Sequence, residues 1–132
     1  MSVLMNPYLA FVDNARQAMD FYKSVFGGDL NVSNFGEAAG AEKDKVMHAQ
    51  LKAASGFTLM ASDTPSGMER RANGSISLSG PAADEKELRG YWDKLTAGGQ
   101  TTMPLAKAPW GDTFGMCVDK FGTAWMVNIA GQ

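Results

Sequence analysis

His48, the only histidine in the chain, is the residue whose type most directly indicates chemistry. It lies in the run VMHAQL, where the alternation of a strand places its side chain on the same face as Val46 and Gln50. Because imidazole titrates near neutral pH, His48 is a candidate general acid or base. The alternative is a hydrogen-bonded histidine that shapes a pocket, since no carboxylate partner can be assigned from the sequence.

A second candidate is the run WGD, residues 110–112, which precedes a predicted strand. Trp110 could stack on a flat or apolar ligand while Asp112 accepts hydrogen bonds from that ligand. In the alternative interpretation, Asp112 caps the turn and Trp110 closes a cavity mouth or a dimer contact. In the following run DKFG, Asp119 is predicted to accept hydrogen bonds from its own turn, and Gly122 completes that turn.

Composition narrows the class of protein. The 132 residues carry a net charge of −2 and are 45% hydrophobic and 20% charged, which is typical of one soluble globular domain. Arg70 and Arg71 are the longest basic run, so a nucleic-acid partner is not expected. Neither a signal peptide nor a membrane-spanning run is recognisable, and we expect a cytoplasmic protein without membrane attachment. Cys117, the only cysteine, is predicted to be a buried and inert thiol.

The chain contains an internal repeat in which each half reads strand, helix, glycine stop and three strands. Module 1 (residues 1–66) contains PYLAFV, DNARQAMDFYKSVFGGDL, VMHAQL and GFTLMASD. Module 2 (residues 67–132) contains SISLSG, PAADEKELRGYWDKLTAGGQTT, TFGMCVD and GTAWMVN. Residues 33–45 are predicted to be a mobile loop, and residues 63–74 a linker. The predicted fold is α+β, with two βαβββ modules in an open curved mixed sheet around a cavity.

The helices are predicted from apolar residues that recur at three- and four-residue spacing. The first has Asp13 or Asn14 as a candidate cap, Gly27-Gly28 as its stop, and a stripe of Ala15, Ala18, Met19, Tyr22 and Phe26. The second opens at Pro81, stops at Gly98-Gly99, and has a stripe of Leu88, Tyr91, Trp92 and Leu95. Such stripes are typical of a core, so we assign both to packing.

Each predicted strand presents one face to a helix and a semi-polar face to the other side. The helix-facing set is Leu9, Phe11, Phe57, Leu59, Ala61, Ile76, Leu78, Thr123, Trp125 and Val127. The opposite set is Asn6, Tyr8, Ala10, Thr58, Met60, Ser62, Ser75, Ser77, Ser79, Ala124, Met126 and Asn128. The run TTMPLAKAPWGD contains two prolines and is predicted to be an irregular edge strand followed by a loop.

The repeat and its motifs resemble the PhnB-like group of the vicinal oxygen chelate superfamily, which includes glyoxalase I, extradiol dioxygenases and the fosfomycin and bleomycin resistance proteins. The resemblance spans nearly the whole chain and is carried most specifically by PYLAF with the following FYKSVFGG, and by WGDTFGMCVDKFGTAW. It implies the fold predicted above and a homodimer.

The resemblance also implies where a metal would be bound. Metal-dependent relatives have a His or Gln near the start of the first strand of each module and a Glu on the last strand. Here those positions fall on Asn6, Ser75, Met60 and Met126. Two thioethers in place of two carboxylates remove the negative charge that holds a divalent ion, so no metal and no other cofactor are expected. A copper(I) site from Met60 and Met126 is conceivable, but ordinary packing explains both methionines better.

The resulting hypothesis is a metal-free protein that binds a small organic ligand in the cavity. The expected lining is Asn6, Tyr8, His48, Gln50, Met60, Ser75, Ser77, Trp110, Asp112 and Met126. The alternatives are a lyase, isomerase or transferase related to glyoxalase, using an unexpected metal or His48, and a dimeric scaffold with a disused cleft. Some relatives carry a demethylubiquinone methyltransferase label, but we find no glycine-rich loop for S-adenosylmethionine in this sequence.

Overall fold

The two halves of the chain fold with the same order of elements. The computed structural model describes residues 4–36, 40, 42–70 and 73–131, and the chain divides into unit 1, residues 1–72, and unit 2, residues 73–132. Unit 1 contains β1 (Tyr8–Phe11), α1 (Ala15–Phe26), β2 (Asp29–Asn34), β3 (Val46–Lys52) and β4 (Thr58–Asp63). Unit 2 contains β5 (Ile76–Gly80), a 3₁₀ turn (Ala82–Asp84), α2 (Glu85–Thr96), β6 (Gln100–Lys107), β7 (Thr113–Val118) and β8 (Ala124–Ile129).

Each unit forms a four-stranded mixed sheet with the same connectivity. The strand orders are β1-β4-β3-β2 and β5-β8-β7-β6. The first and last strands of each unit pair in parallel, and the other pairs are antiparallel. The predicted α+β fold of two βαβββ modules is therefore confirmed. Residues 37–39 and 41 of the predicted loop, and Arg71, lie outside the described residues.

The apolar stripes bury as predicted. All five predicted core residues of α1 are buried, together with Val25, and α1 packs against β2, β3 and β4. In α2 the buried residues are Leu88, Trp92 and Leu95, and this helix packs against β5, β7 and β8. Tyr91 is only half-buried, and its hydroxyl donates a 2.5 Å hydrogen bond to Glu87. No helix in these described ranges has the length and apolar character needed to cross a membrane.

The start of α1 is held by a residue from a distant strand. Asn14 occupies the N-cap position, but its side chain makes no capping hydrogen bond. Instead, Asp63 at the end of β4 accepts hydrogen bonds from the backbone N–H of Ala15 and from that of Val46, both at 2.9 Å. Asp63 is only 4% exposed. The buried carboxylate of Asp63 therefore connects the start of α1, the start of β3 and the end of β4.

The glycine pairs that end the helices also allow a close backbone approach. A Cβ on Gly28 would overlap the carbonyl oxygen of Lys52, and a Cβ on Gly99 would overlap that of Val118. Gly28 also has a φ of 100°, in the left-handed region that favours glycine. In both units, the chain leaving the helix passes directly beside the end of the third strand.

An ion-pair network holds residues 42–45 of unit 1. Lys45 Nζ lies 2.6 Å from Glu42 Oε2 and 2.9 Å from Asp13 Oδ1. The Ser66 N–H donates to Glu42 Oε1 at 2.8 Å. The hydrogen bond from Lys45, followed by those from Ser66, lowers the pKa of Glu42 from 4.5 to about 2.

This lowered pKa predicts a pH-dependent contribution to stability. A carboxyl group whose folded pKa is depressed stabilises the protein above its unfolded pKa, and this stability is lost as pH falls through the folded pKa. The stability advantage of wild type over E42Q, measured by urea unfolding, should therefore be full above pH 4.5 and disappear toward pH 2. An advantage that stays constant over this range would contradict the assignment of the pKa shift to Glu42.

Candidate functional site

Each sheet has one face covered by a helix and one face that no helix of its own unit covers, which we call the helix-free face. In β4, Leu59 and Ala61 are buried on the helix side, whereas Met60 is half-buried on the other. In β8, Trp125 and Val127 are buried and Met126 is half-buried. The predicted division of these strands into two faces is confirmed.

A row of four residues crosses the helix-free face of the first sheet. Tyr8 pairs with Met60, Met60 with Gln50, and Gln50 with Asn31. Directly paired residues point to the same face, with Cβ atoms about 5 Å apart. This set, the Tyr8 row, combines a phenol, a thioether and two amides. The structure therefore brings together three of the residues that the sequence assigned to ligand binding.

His48 lies beside this row. Its Nδ1 is 3.3 Å from the Tyr8 hydroxyl, and the two ring centroids are 5.8 Å apart. Tyr8 is 52% exposed and His48 is half-buried, so both can be reached by a small molecule. When the Tyr8 hydroxyl donates, Nδ1 accepts and the imidazole proton lies on Nε2. The sequence named both residues, but it could not show that they form a pair.

The corresponding row of the second sheet has a different composition. Ser77 pairs with Met126, Met126 with Met116, and Met116 with Met103. Tyr8 and Met60 in unit 1 thus match Ser77 and Met126 in unit 2, which supports the inference that the two methionines occupy equivalent places. We call Met103, Met116 and Met126 the methionine row.

Asn6 and Ser75 lie just ahead of the first strand of their units. Each is two residues before the strand residue that pairs with the methionine of the last strand. Asn6 is half-buried and Ser75 exposed, and both lie outside the strands into which the sequence placed them, because β1 begins at Tyr8 and β5 at Ile76.

These four positions do not match the donor set of a hard divalent ion. An amide, a hydroxyl and two thioethers supply no negative charge, whereas such ions prefer carboxylate oxygens. In the part of the chain that the structure describes, no three His, Cys, Asp or Glu residues are grouped as metal ligands would be.

The WGD run forms the turn between β6 and β7. Asp112 accepts hydrogen bonds from the Asn128 side chain at 3.0 Å and from the Gly131 N–H at 2.9 Å. These bonds, that from Asn128 first, lower the pKa of Asp112. Through these bonds Asp112 connects the turn to β8 and to the residue Gly131 that follows it, whereas the sequence left open a cap of the turn itself or a contact with a ligand. Trp110 is 62% exposed and stacks edge-on against Phe114 at 5.7 Å.

The turn after β7 is organised by a buried carboxylate. Asp119 Oδ1 accepts hydrogen bonds from the N–H groups of Phe121 and Thr123, as the sequence predicted. Its Oδ2 also accepts a 2.8 Å hydrogen bond from the indole N–H of Trp125, which the sequence did not predict. Cys117 is buried, and burial followed by the Asp119 charge raises its pKa to about 11. Its thiol is therefore a poor nucleophile, as expected.

Sequence reasoning missed a cavity on the helix side of unit 2. Its volume is about 390 Å³, and its lining is Arg89, Trp92, Asp93, Thr101, Pro104 and Leu105. A Cβ on Gly115 would lie 2.8 Å from both Trp92 and Leu105, so the glycine allows these two residues to approach each other. No sequence motif marks this cavity, because α2 and β6 supply its walls separately.

The chain is similar to one protein family in sequence and to several solved proteins in structure. The sequence profile of the family described as 3-demethylubiquinone-9 3-methyltransferase matches residues 4–128. The structure of PA1353 from Pseudomonas aeruginosa is 38% identical, with 99% of this chain and 100% of that chain covered and a TM-score of 0.84. A PhnB protein from Bacillus cereus, described as a putative methyltransferase of the same kind, is 25% identical, with 97% and 100% covered and a TM-score of 0.73.

Two more distant structures show the same fold. A glyoxylase/bleomycin resistance protein/dioxygenase domain from Frankia is 15% identical, covers 100% of this chain and 94% of that chain, and has a TM-score of 0.70. The fosfomycin resistance protein FosX from Listeria monocytogenes, at 15% identity, covers 100% and 95% with a TM-score of 0.63. FosX has also been determined in complex with Mn(II).

Proposed function

The chain belongs to the 3-demethylubiquinone-9 3-methyltransferase family and is a PhnB-like protein of the vicinal oxygen chelate superfamily, and from this premise we propose that it binds a small organic ligand without a divalent metal. The observation that carries the proposal is the Tyr8 row with the adjacent His48. Tyr8, Met60 and Gln50 offer an aromatic edge, a deformable apolar surface and an amide, at neighbouring positions of one face. Binding sites are typically apolar surfaces with a few polar groups that fix orientation.

The ligand that suits this face is a small molecule with an apolar part and hydrogen-bonding groups. Met60 adapts to irregular apolar shapes. Gln50 and Asn31 each supply a donor and an acceptor, and the Tyr8 hydroxyl supplies both in one group. The described residues of the row carry no formal charge, so we expect neutral or weakly polar ligands to bind better than multiply charged ones.

We propose no divalent ion because the residues at the four candidate metal-binding positions do not supply the ligands that such an ion needs. Relatives such as FosX have been crystallised with Mn(II), but Asn6, Met60 and their counterparts in unit 2 give such an ion no carboxylate. Elemental analysis of protein purified without chelators should find Mg, Mn, Ni and Zn far below one equivalent. Near-stoichiometric amounts of any of these would overturn the metal-free proposal.

Methyl transfer is not the function we propose, although the family description names it. The sequence has no glycine-rich turn between a strand and a helix of the type that binds nucleotide-like cofactors. Gly27-Gly28 and Gly98-Gly99 both follow helices, and the structure uses Gly28 and Gly99 for close backbone packing.

Ligand binding can be tested with one variant and one control. A small-molecule library is screened by thermal shift, and saturable hits are titrated against wild type, Q50A and K23A. Loss of a hydrogen bond from Gln50 should weaken binding about three- to tenfold. Lys23 is exposed on α1, and its replacement should leave the affinity unchanged. Equal affinities for wild type and Q50A, or no saturable hit at all, would contradict binding at the Tyr8 row.

A second candidate function, acid–base catalysis, is favoured by the Tyr8–His48 contact. A hydroxyl 3.3 Å from an imidazole nitrogen can pass a proton to or from a bound ligand. If a hit is turned over, H48Q should slow the reaction by about 10²-fold or more. Y8F should also slow the reaction, because it removes the hydroxyl that lies 3.3 Å from Nδ1. Unchanged turnover in H48Q would leave ligand binding as the only function of this face.

We also propose that the protein is cytoplasmic and that it is a homodimer, the latter as the family resemblance implies. The net charge of −2 supports the expectation that nucleic acid is not a partner. Light scattering on the purified chain should give twice the 14.1 kDa monomer mass, and a monomer at micromolar concentration would exclude the dimer. A disused cleft in a dimeric scaffold would show itself as the absence of any saturable ligand in the screen above.

A further inference from the structure

The methionine row places three thioethers side by side on one face of the second sheet. Met103, Met116 and Met126 come from β6, β7 and β8, and each is directly paired with the next. Adjacent strands are about 4.8 Å apart and paired Cβ atoms about 5 Å apart. Because a methionine sulfur lies two bonds beyond Cβ on a flexible chain, the two outer sulfurs can lean toward the central one.

The row is accessible rather than part of the packed core of unit 2. Met103 is 47% exposed, and Met116 and Met126 are half-buried. Core residues of the same strands, such as Cys117 and Trp125, are 1% exposed and point to the helix side. Filling the core therefore does not account for three methionines in register.

The pairing of β6 with β7 is irregular on both sides of the Met103–Met116 pair. The register between β6 and β7 shifts between Thr101 and Met103, and again between Met103 and Ala106. Such bulges redirect side chains and are over-represented next to functional sites. The pair Met103–Met116 lies between the two shifts, on a strand that also contains Pro104.

We propose that Met103, Met116 and Met126 form a binding site for one soft monovalent cation, copper(I) or its analogue silver(I). Thioethers select soft ions and bind hard divalent ions poorly. A neutral donor set is best matched by a low charge, because nothing in the row compensates a divalent one. The methionine row shares no residue with the Tyr8 row and does not include His48.

The site uses donors that carry no exchangeable proton. Thioether binding should therefore be equally strong at about pH 5 and at neutral pH, whereas an imidazole ligand is protonated at about pH 5. Cys117 does not compete, because its thiol is buried on the opposite face and its pKa is raised to about 11. A tenfold or greater loss of affinity at about pH 5 would assign the ion to His48 and overturn the proposal.

The test uses silver(I), which needs no reductant, added to the full-length protein. Binding is followed by NMR of ¹³C-methyl-labelled methionine. We expect saturation at one equivalent, with the methyl signals of the methionine row shifting together and the exposed Met68 unchanged. M116L removes the central sulfur with little change in volume, and it should weaken binding at least about tenfold, as disturbing a metal site commonly does.

M60L is the matched control. Met60 occupies in unit 1 the place that Met126 occupies in unit 2, but its paired neighbours are Tyr8 and Gln50. M60L should bind silver(I) as wild type does, whereas M126L should lose affinity as M116L does. If M116L unfolds, M103L on the exposed edge strand replaces it. Equal loss in M60L and M126L, unchanged affinity in the variants of the row, or shifts spread over all methionines would each overturn the proposal.

Discussion

Replacing Asp119 by alanine should lower the free energy of unfolding by about 3 to 5 kcal/mol, because several buried donors would lose their acceptor at once. Asp119 is 3% exposed and accepts from the N–H groups of Phe121 and Thr123 and from the Trp125 indole. Trp125 is 1% exposed, so no water can replace this bond without opening the core. Since small domains are stable by only about 5 to 15 kcal/mol, D119A would lose a large fraction of the protein's stability.

A double-mutant cycle separates the indole bond from the backbone bonds. W125F removes the indole donor, so D119A should cost at least about 1 kcal/mol less in the W125F background than in wild type. Urea unfolding of the four proteins gives the coupling. D112A is the control. Asp112 accepts two hydrogen bonds but is only half-buried, so D112A should lower the free energy of unfolding by less than D119A does. Strictly additive costs of D119A and W125F would show that the Asp119–Trp125 bond contributes nothing.

Replacing Asp63 by alanine should cost about 2 to 4 kcal/mol, since two buried backbone donors lose their acceptor. One donor is the Ala15 N–H at the start of α1, and the other is the Val46 N–H at the start of β3. The helix also loses a negative charge at its N-terminus, where negative charge is stabilising. The effect should be visible as faster hydrogen exchange at these two amides.

D63N provides a graded control for this prediction. Oδ1 of Asp63 accepts from Ala15 and Oδ2 accepts from Val46, whereas an asparagine has one acceptor oxygen. D63N should therefore cost roughly half as much as D63A. D20A removes an exposed carboxylate 3.8 Å from Arg16 on the surface of the same helix and should change stability by less than about 0.5 kcal/mol. If D63A and D20A cost the same, burial of Asp63 has no energetic importance.

The fold was predictable from the sequence because local patterns and the repeat agreed. The stripe from Ala15 to Phe26 has helical spacing, the run GTAWMVN alternates, and both halves show the same order. The face on which Met60 and Met126 lie followed from alternation alone. The irregular edge strand was also correctly predicted, because proline in a strand is tolerated mainly at edges.

The Tyr8–His48 contact of the candidate site and the Asp63–Ala15 bond of the fold were not predictable, because each joins residues far apart in the sequence. The Tyr8–His48 contact spans 40 positions, and the Asp63–Ala15 bond spans 48. The buried carboxylates of Asp63 and Asp119 lie at the end of a strand and directly after one. The sequence shows these positions, but it does not show which groups donate hydrogen bonds to them. Register has the same limit, since the alignment of Met103 with Met116 depends on two shifts that leave no mark in the composition.

The Asp119–Trp125 hydrogen bond has a consequence for how β7 and β8 align. A slip of one residue in an antiparallel pair turns every side chain to the opposite face. Such a slip would bring Trp125 to the helix-free face and Met126 into the core, and it would separate the indole from its carboxylate. The bond therefore stabilises the native register of the hairpin that β7 and β8 form. Asp119, which belongs to neither the Tyr8 row nor the methionine row, thereby helps to determine which thioethers become neighbours.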